Sequence, residues 1–273
     1  MTFKKLYFNT KLAFQIILIY VYIFIMNKDI PQTELPYQKS LPIDHLSISE
    51  GVHLIVNEQM NAARDVEKAS KSIQYAIKKI YKHLNTTKTG RLIYVGAGTS
   101  GRIGVQDGVE LFPTFNWPKE RLDFILAGGT KALLVAIENA EDSVGKAFDA
   151  VEKKFINEKD VVIGLAASGD TPFTCKVIEE AYKRDALTIA ISNNPNGNIL
   201  KFGKVKIILD TQEEVIAGST RLKAGTAQKI CLNVISSMVM TKMGKVKNGL
   251  MSEMVPTNEK LRKRKTTMNT QFN

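Results

Sequence analysis

The chain has 273 residues, of which 44% are hydrophobic and 24% charged, a composition that suits one sizeable folded domain and excludes intrinsic disorder. Its two cysteines, Cys175 and Cys231, exclude a disulfide framework and predict a reducing compartment. The formal net charge of +11 comes mostly from lysines scattered through amphipathic segments, which favours a solvated surface over a nucleic-acid partner.

Residues 1–26 differ from the rest of the chain. Three lysines precede an apolar run at 12–25, interrupted only by Gln15, which is typical of a signal-peptide core or a short membrane anchor. The run of about 14 residues is shorter than the roughly 20 that span a bilayer. We therefore favour Met26 as the true start, and we expect a membrane partner only if residues 1–26 are translated.

The next segment, residues 27–84, combines a polar, proline-containing stretch with a helical pattern. We expect the stretch at 27–50 to lie extended over the surface or over a partner subunit. From about residue 49 to residue 84 the apolar spacing is helical, with Ile73, Ile77, Ile80 and Leu84 on one stripe. This segment is predicted to be an N-terminal helical addition to the main domain.

Apolar, strand-like runs recur along residues 85–245. They lie at 91–95, 124–127, 161–166, 187–191 and 205–209. Helical stretches separate most of them, so we predict the α/β class, with a doubly wound parallel sheet of about five strands. One of the predicted helices covers 222–242, and residues 246–273 form a short C-terminal tail.

A glycine-rich turn follows the first predicted strand, where residues 95–102 read VGAGTSGR. Glycines allow a sharp turn, and the free N–H groups at a helix start favour an anion such as phosphate. A dinucleotide site would need an acid about 20 residues later at the end of the next strand, where this chain has Gly128-Gly129-Thr130. Gly98 and the hydroxyls of Thr99 and Ser100 therefore predict a sugar-phosphate cradle.

A second hydroxyl-rich turn follows the third predicted strand, where residues 167–172 read ASGDTP. Taken alone, such a turn is more often an ordinary helix cap. Because ligands of parallel sheets lie at the carboxyl ends of the strands, we expect Ser168, Gly169 and Thr171 to join the first turn in one site. The two turns together predict a pocket for a phosphorylated sugar.

Several longer motifs resemble those of one enzyme family. They are GAGTSGR at 96–102, Glu110 followed by PTF at 113–115, ENAED at 138–142, AASG at 166–169 with TP at 171–172, and RLKAGTAQK at 221–229. In this order they resemble the N-acetylmuramic acid 6-phosphate etherases of the sugar isomerase (SIS) superfamily. The resemblance covers about residues 30 to 262.

This resemblance implies the SIS fold and a cytoplasmic homodimer that acts in the recycling of cell-wall amino sugars. The implied reaction cleaves the lactyl ether of N-acetylmuramic acid 6-phosphate, giving N-acetylglucosamine 6-phosphate and D-lactate. It implies no metal and no organic cofactor. The sugar 6-phosphate is then the expected partner, with no nucleic acid involved.

The resemblance also selects the catalytic residues. The two acid/base glutamates of the family match Glu110 and Glu141, and we expect Glu141 to lie on a helix that also carries Glu138. Glu110 is predicted to protonate the departing lactyl oxygen, and Glu141 to take or relay the proton on carbon 2. Arg221 and Lys223, at the start of the predicted helix 222–242, are expected to bring positive charge to the ligand, with that helix packing against a second subunit.

Three motifs depart from the family pattern, and two other functions stay open. The chain has Asp107-Gly108-Val109-Glu110 for the usual Asp-Ala-Ser-Glu, Thr130 for histidine after two glycines, and Asp170 for arginine. A sugar phosphate isomerase would use the same cradle and release no lactate. A non-catalytic sugar phosphate sensor would bind the ligand without turning it over.

Overall fold

Five parallel strands form the centre of the computed structural model, which describes residues 30–256, 259, 261–263 and 265–266. The strands are β1 (Leu92–Gly96), β2 (Leu122–Leu126), β3 (Val161–Ala166), β4 (Leu187–Ser192) and β5 (Val205–Ile208). Each begins and ends within two residues of a predicted strand, so the predicted parallel sheet is confirmed. The apolar extension at 1–26 lies outside the described residues.

The spatial order of the strands is β2-β1-β3-β4-β5. The chain moves from β1 to β2 on one side and then returns to place β3 on the other, so that Leu92 lies opposite both Leu122 and Val161. In sheets with this order, ligands bind in the crevice at the carboxyl ends of the two strands where the winding reverses. The topology therefore points to the ends of β1 and β3.

Helices cover both faces of the sheet. They are α1 (Ile48–Lys68), α2 (Ser70–Thr86), α3 (Gly98–Val109), α4 (Leu111–Phe115), α5 (Val144–Lys153), α6 (Pro172–Lys183) and α7 (Lys223–Lys242). Successive side chains of a strand alternate between faces: Leu92 and Tyr94 pack in the core with α1, α2 and α7, whereas Ile93 and Val95 pack in the core with α5 and α6. The sheet is thus buried on both sides.

The region 49–84, where the sequence predicts one continuous helical pattern, forms two helices, α1 and α2. They meet at Ala69, where φ is −82° and ψ is 3°. The break lets both helices bury their apolar stripes in the same core, with Val66 from α1 and Ile73 from α2. Ser47 and Glu50 form a reciprocal capping box that starts α1.

Helix α7 confirms the helix predicted at 222–242 and packs against α1, α2 and α3. Its buried side, which includes Cys231 and Ile235, belongs to the same core as β1. On its outer side, Val234 is 39% exposed and Met238 is 41% exposed. Across the described part of the chain, no helix has the length and apolar character needed to cross a membrane.

Candidate functional site

A cavity of about 450 Å³ lies at the carboxyl ends of β1 and β3, where the topology places a ligand. The turn after β1 and the turn after β3 form two of its walls. Six of the ten predicted site residues line it: Gly98, Thr99, Ser100, Glu141, Ser168 and Thr171. Their roles in binding and catalysis stay predictions.

The first wall is the turn from β1 into α3. Gly98 has a φ of +52°, a conformation that favours glycine, and a Cβ placed there would meet no atom within 4 Å. Gly101 is needed for packing instead, since its Cβ would lie 2.7 Å from the oxygen of Gly96. The backbone N–H groups of Gly98, Thr99 and Ser100 have no acceptor among the described residues, so they are available to an anion.

The second wall is the turn from β3 into α6. Gly169 has a φ of +81°, and a Cβ there would lie 2.4 Å from the Cα of Gly197, so this glycine fixes a close backbone crossing rather than a ligand contact. The N–H of Asp170 donates to Oγ of Ser168 at 3.2 Å. The Asp170 carboxylate accepts two hydrogen bonds from Asn198, each at 2.8 Å. This acid therefore joins the turn to the segment after β4.

The N-terminal segment covers part of the cavity. Pro31 and Glu34 line it opposite Gly218, whose N–H donates to the Thr33 oxygen at 2.8 Å. A Cβ at Gly218 would lie 2.7 Å from Oε2 of Glu34. Sequence reasoning placed this segment over the surface or a partner and missed the position of Glu34. The local sequence offers one signal for this position, because the pair Thr33-Glu34 resembles the opening segment of the etherase family.

The charge around this cavity is negative. Its walls include Glu34, Glu141, Asp142 and Asp170, and none of the described residues that line it is a lysine or an arginine. An anionic ligand would therefore be held by neutral donors, namely helix-start N–H groups and hydroxyls. Three of the four carboxylates are exposed, which screens their repulsion of such a ligand.

Glu141 lies in a turn that precedes α5, and the prediction that it lies on a helix is wrong. Asn139 has a φ of +56°, which a right-handed helix does not accommodate. The backbone oxygen of Glu141 accepts a hydrogen bond of 2.8 Å from the N–H of Phe173 at the start of α6. Glu141 also lines a second cavity of about 270 Å³ beside the first. Its side chain is exposed to both spaces.

Glu110 lies at the opposite end of α3 from the cradle. It is exposed, and it lines neither of these cavities. The helix rise of about 1.5 Å per residue puts it roughly 15 Å from Ser100, which exceeds the length of a hexose 6-phosphate. The structure therefore does not bring Glu110 and Glu141 to one cavity within a single chain.

Asp107, one turn before Glu110, is a structural residue that sequence reasoning missed. It is buried and accepts hydrogen bonds from Tyr94 Oη at 2.7 Å, Asn233 Nδ2 at 2.7 Å and Ser236 Oγ at 3.0 Å. Burial, followed by the charge of Asp107, raises the pKa of Tyr94 well above its usual value. These bonds fix the end of α3 against β1 and α7, and so fix the position of Glu110.

Lys223 and Arg221 do not line the cavity. Arg221 is exposed, whereas Lys223 is buried with its Nζ 2.5 Å from Oε2 of Glu58. Burial alone would raise the pKa of Glu58, but the hydrogen bond and charge of Lys223, together with hydrogen bonds from Tyr37 and Asn61, outweigh burial and lower the pKa. The nearby Glu214 accepts from the Lys223 N–H at 3.0 Å, and burial raises its pKa. Lys223 thus belongs to a buried ion pair.

No cluster of three or more His, Cys, Asp or Glu side chains within the described residues is arranged to hold a metal ion.

Comparisons with known proteins agree with this architecture. The family model of the SIS domain matches residues 143–238, and that of the glucokinase regulatory protein N-terminal SIS domain matches residues 48–181. The N-acetylmuramic acid 6-phosphate etherase of Mycoplasma mycoides is 41% identical over 233 residues, covering 85% of this chain and 76% of its own. The etherase of Bacillus cereus is 42% identical over 229 residues, which cover 84% and 77% of the two chains.

Solved structures share the fold at low sequence identity. A phosphoheptose isomerase from Francisella tularensis is 18% identical with a TM-score of 0.53, covering 72% of this chain and all of its own. The Vibrio vulnificus NanR protein complexed with ManNAc-6P is 13% identical with a TM-score of 0.51, covering 84% of this chain and 72% of its own. These similarities show the SIS fold.

Proposed function

This chain belongs to the N-acetylmuramic acid 6-phosphate etherases, and on that premise we propose that it is a lyase that cleaves the D-lactyl ether of N-acetylmuramic acid 6-phosphate. The products are N-acetylglucosamine 6-phosphate and D-lactate. The observation that carries the proposal is the cavity at the ends of β1 and β3, where two hydroxyl-rich turns lie beside Glu141.

The 6-phosphate binds at the start of α3. The free N–H groups of Gly98, Thr99 and Ser100 and the hydroxyl of Ser168 converge on the cavity. The positive end of the helix dipole adds a favourable field for the phosphate. This arrangement needs no lysine, which fits the absence of basic residues from the described wall of this cavity.

The reaction is an elimination followed by addition of water. In the open-chain sugar, the hydrogen on carbon 2 is acidic because it lies beside the aldehyde, and a carboxylate removes it. The lactyl oxygen on carbon 3 leaves as it is protonated, and water then adds across the new double bond. Glu141 is the base in this proposal and Glu110 the acid, each worth roughly 10²–10⁴-fold in rate.

A homodimer resolves the distance between these two glutamates. Because Glu110 of the same chain lies roughly 15 Å along α3 from the cradle, Glu110 of a second copy supplies the proton. Exposed apolar side chains support an interface near this end of α3, since Val109 is 49% exposed and Val234 and Met238 on the adjoining α7 are also partly exposed. The free cysteines Cys175 and Cys231 favour the reducing environment of the cytoplasm.

Release of D-lactate from N-acetylmuramic acid 6-phosphate tests the function. We expect the purified chain to release it, and we expect Glu141→Gln to lower kcat by roughly 10²–10⁴-fold because the amide accepts no proton. The matched control is Glu120→Gln, an exposed residue that precedes β2 at the other end of the sheet and should turn over normally.

Three outcomes would contradict the proposal. Interconversion of sugar phosphates without lactate would indicate an isomerase, and binding without turnover would indicate a sensor. Near-normal lactate release by Glu141→Gln would remove that residue from the chemistry.

A further inference from the structure

The second cavity adjoins the first. Its volume is about 270 Å³, and it shares Ala97, Gly98 and Glu141 with the larger cavity. The two spaces therefore meet at the β1–α3 turn and at Glu141, which lines both of them. The walls of the smaller cavity combine apolar residues, among them Ala132 and Ile137, with polar and charged ones.

Arg102 is the only lysine or arginine that lines either cavity within the described residues. It lies one helical turn after Gly98, on the same side of α3. Its Nε donates to the oxygen of Ala132 at 2.9 Å, and its Nη2 lies 3.4 Å from the oxygen of Val135. No carboxylate of the described residues lies within 4.0 Å of this guanidinium, so no ion pair in that part of the chain neutralises its charge.

We propose that Arg102 binds the carboxylate of the lactyl group and that the smaller cavity is the lactyl subsite. This inference rests on the proposed function, because it concerns the part of the substrate that the reaction removes. A guanidinium recognises a planar carboxylate well, since its N–H groups match the two oxygens. Ala132 and Ile137 offer apolar contact to the lactyl methyl group.

The shape of the substrate agrees with two adjoining spaces. The phosphate on carbon 6 and the lactyl carboxylate on carbon 3 are separate anions of one molecule, and the cradle and Arg102 are separate anion-binding groups. Glu141 lies between them, beside the carbons where the proton and the lactyl oxygen are lost. Glu138 also lines the smaller cavity, but its exposure to solvent limits its repulsion of the lactyl group.

The inference predicts a difference in affinity between substrate and product. N-acetylglucosamine 6-phosphate lacks the lactyl group and makes no contact with Arg102. Removing the guanidinium should therefore weaken only the binding of the substrate. The expected loss of affinity is about 10- to 100-fold, which is the usual range for hydrogen bonds to a charged group.

The test compares Arg102→Gln with the natural residue in the full-length chain. Both proteins also carry Glu141→Gln, so that bound substrate is not consumed, and calorimetry measures Kd for N-acetylmuramic acid 6-phosphate and for N-acetylglucosamine 6-phosphate. We expect Arg102→Gln to raise the first Kd about 10- to 100-fold and to change the second less than twofold. Arg102→Lys keeps the positive charge but loses the two parallel N–H donors. Its Kd for the substrate should lie between that of the natural residue and that of Arg102→Gln.

An equal loss of affinity for both ligands would overturn the inference, because it would show that Arg102 only holds residues 132–135 in place. An unchanged Kd for the substrate would also overturn it. If Arg102→Gln fails to fold, the same comparison is made with Arg102→Lys. Lactate release by the unmodified chain is assayed separately, so a failure of the proposed function is distinguished from a failure of the subsite.

Discussion

Lys223 shows how burial changes the role of a single charged residue. The sequence places it in a basic motif and predicts a ligand contact, yet its side chain is buried against Glu58, a residue 165 positions away in the chain. Tyr37 and Asn61 also donate to this carboxylate, at 3.1 and 2.9 Å. The pair therefore joins α1, α7 and the N-terminal segment that covers the cavity.

We expect Lys223→Met to lower the free energy of unfolding by about 3–5 kcal/mol, because it leaves the Glu58 carboxylate buried and unpaired. Urea denaturation measures the change. The double variant Lys223→Met/Glu58→Leu should recover part of the loss, and the exposed Arg221→Met should change stability by less than about 0.5 kcal/mol. Unchanged stability with weakened substrate binding would restore Lys223 to the ligand site.

Individual site residues were predictable when the local sequence determines their position. A strand, a glycine turn and a helix start place Ser100 and Ser168 at the sheet edge without reference to the rest of the chain. Glu34, Asp107 and Lys223 were not predictable in this way. Their environments depend on segments distant in sequence, such as the turn at Gly218 that adjoins Glu34.

At the scale of elements, α6 is joined to α5 by a charged network around Glu180. The Glu180 side chain is 8% exposed and accepts from Lys176 at 2.8 Å, Lys183 at 3.0 Å and Arg184 at 2.8 Å. Arg184 also pairs with Glu152 on α5. The hydrogen bond from Lys176 is the largest of the effects that lower the pKa of Glu180 to about 2, although burial opposes it.

This network predicts how stability depends on pH. Because the pKa of Glu180 is about 2 in the folded chain and 4.5 ordinarily, its stabilising effect is complete above the ordinary value and is lost as the pH falls towards 2. Thermal denaturation across this window should show a smaller loss of Tm on acidification for Glu180→Gln than for the natural chain. The exposed Glu158→Gln should keep the natural pH dependence. Identical curves for Glu180→Gln and the natural chain would contradict the assignment.

The elements were predictable where burial is complete or periodicity is strong. All residues of β1, β3 and β4 are buried, so these strands are mostly apolar in sequence. The break at Ala69 was not predictable, because neither glycine nor proline marks it. The turn at Glu141 was missed because Asn139 adopts a left-handed conformation that its residue type permits and does not require.

At the scale of the whole molecule, each active site of the proposed dimer contains residues from both chains. A two-fold dimer would have two equivalent active sites, each with Glu141 of one copy and Glu110 of the other. Mixing two inactive variants tests this directly, because a mixed dimer of Glu110→Gln and Glu141→Gln has one site with both natural glutamates.

We expect random mixing to restore about a quarter of the natural lactate release, since half of the dimers are mixed and each has one intact site. Two different affinity tags verify that mixed dimers form. Each variant alone should stay inactive under the same treatment. No recovery in a tagged, mixed population would show that the two glutamates do not act across subunits.

The neutral character of the proposed phosphate cradle has a consequence for chemical modification. Lysine acylation abolishes the charge of ammonium groups, but no lysine lines the described walls of either cavity, so this modification has no direct target there. Reagents that modify guanidinium groups have one target among the described lining residues, Arg102, which lines only the smaller cavity. A bound phosphate alone would leave that group open to attack, whereas a ligand that fills the smaller space would shield it.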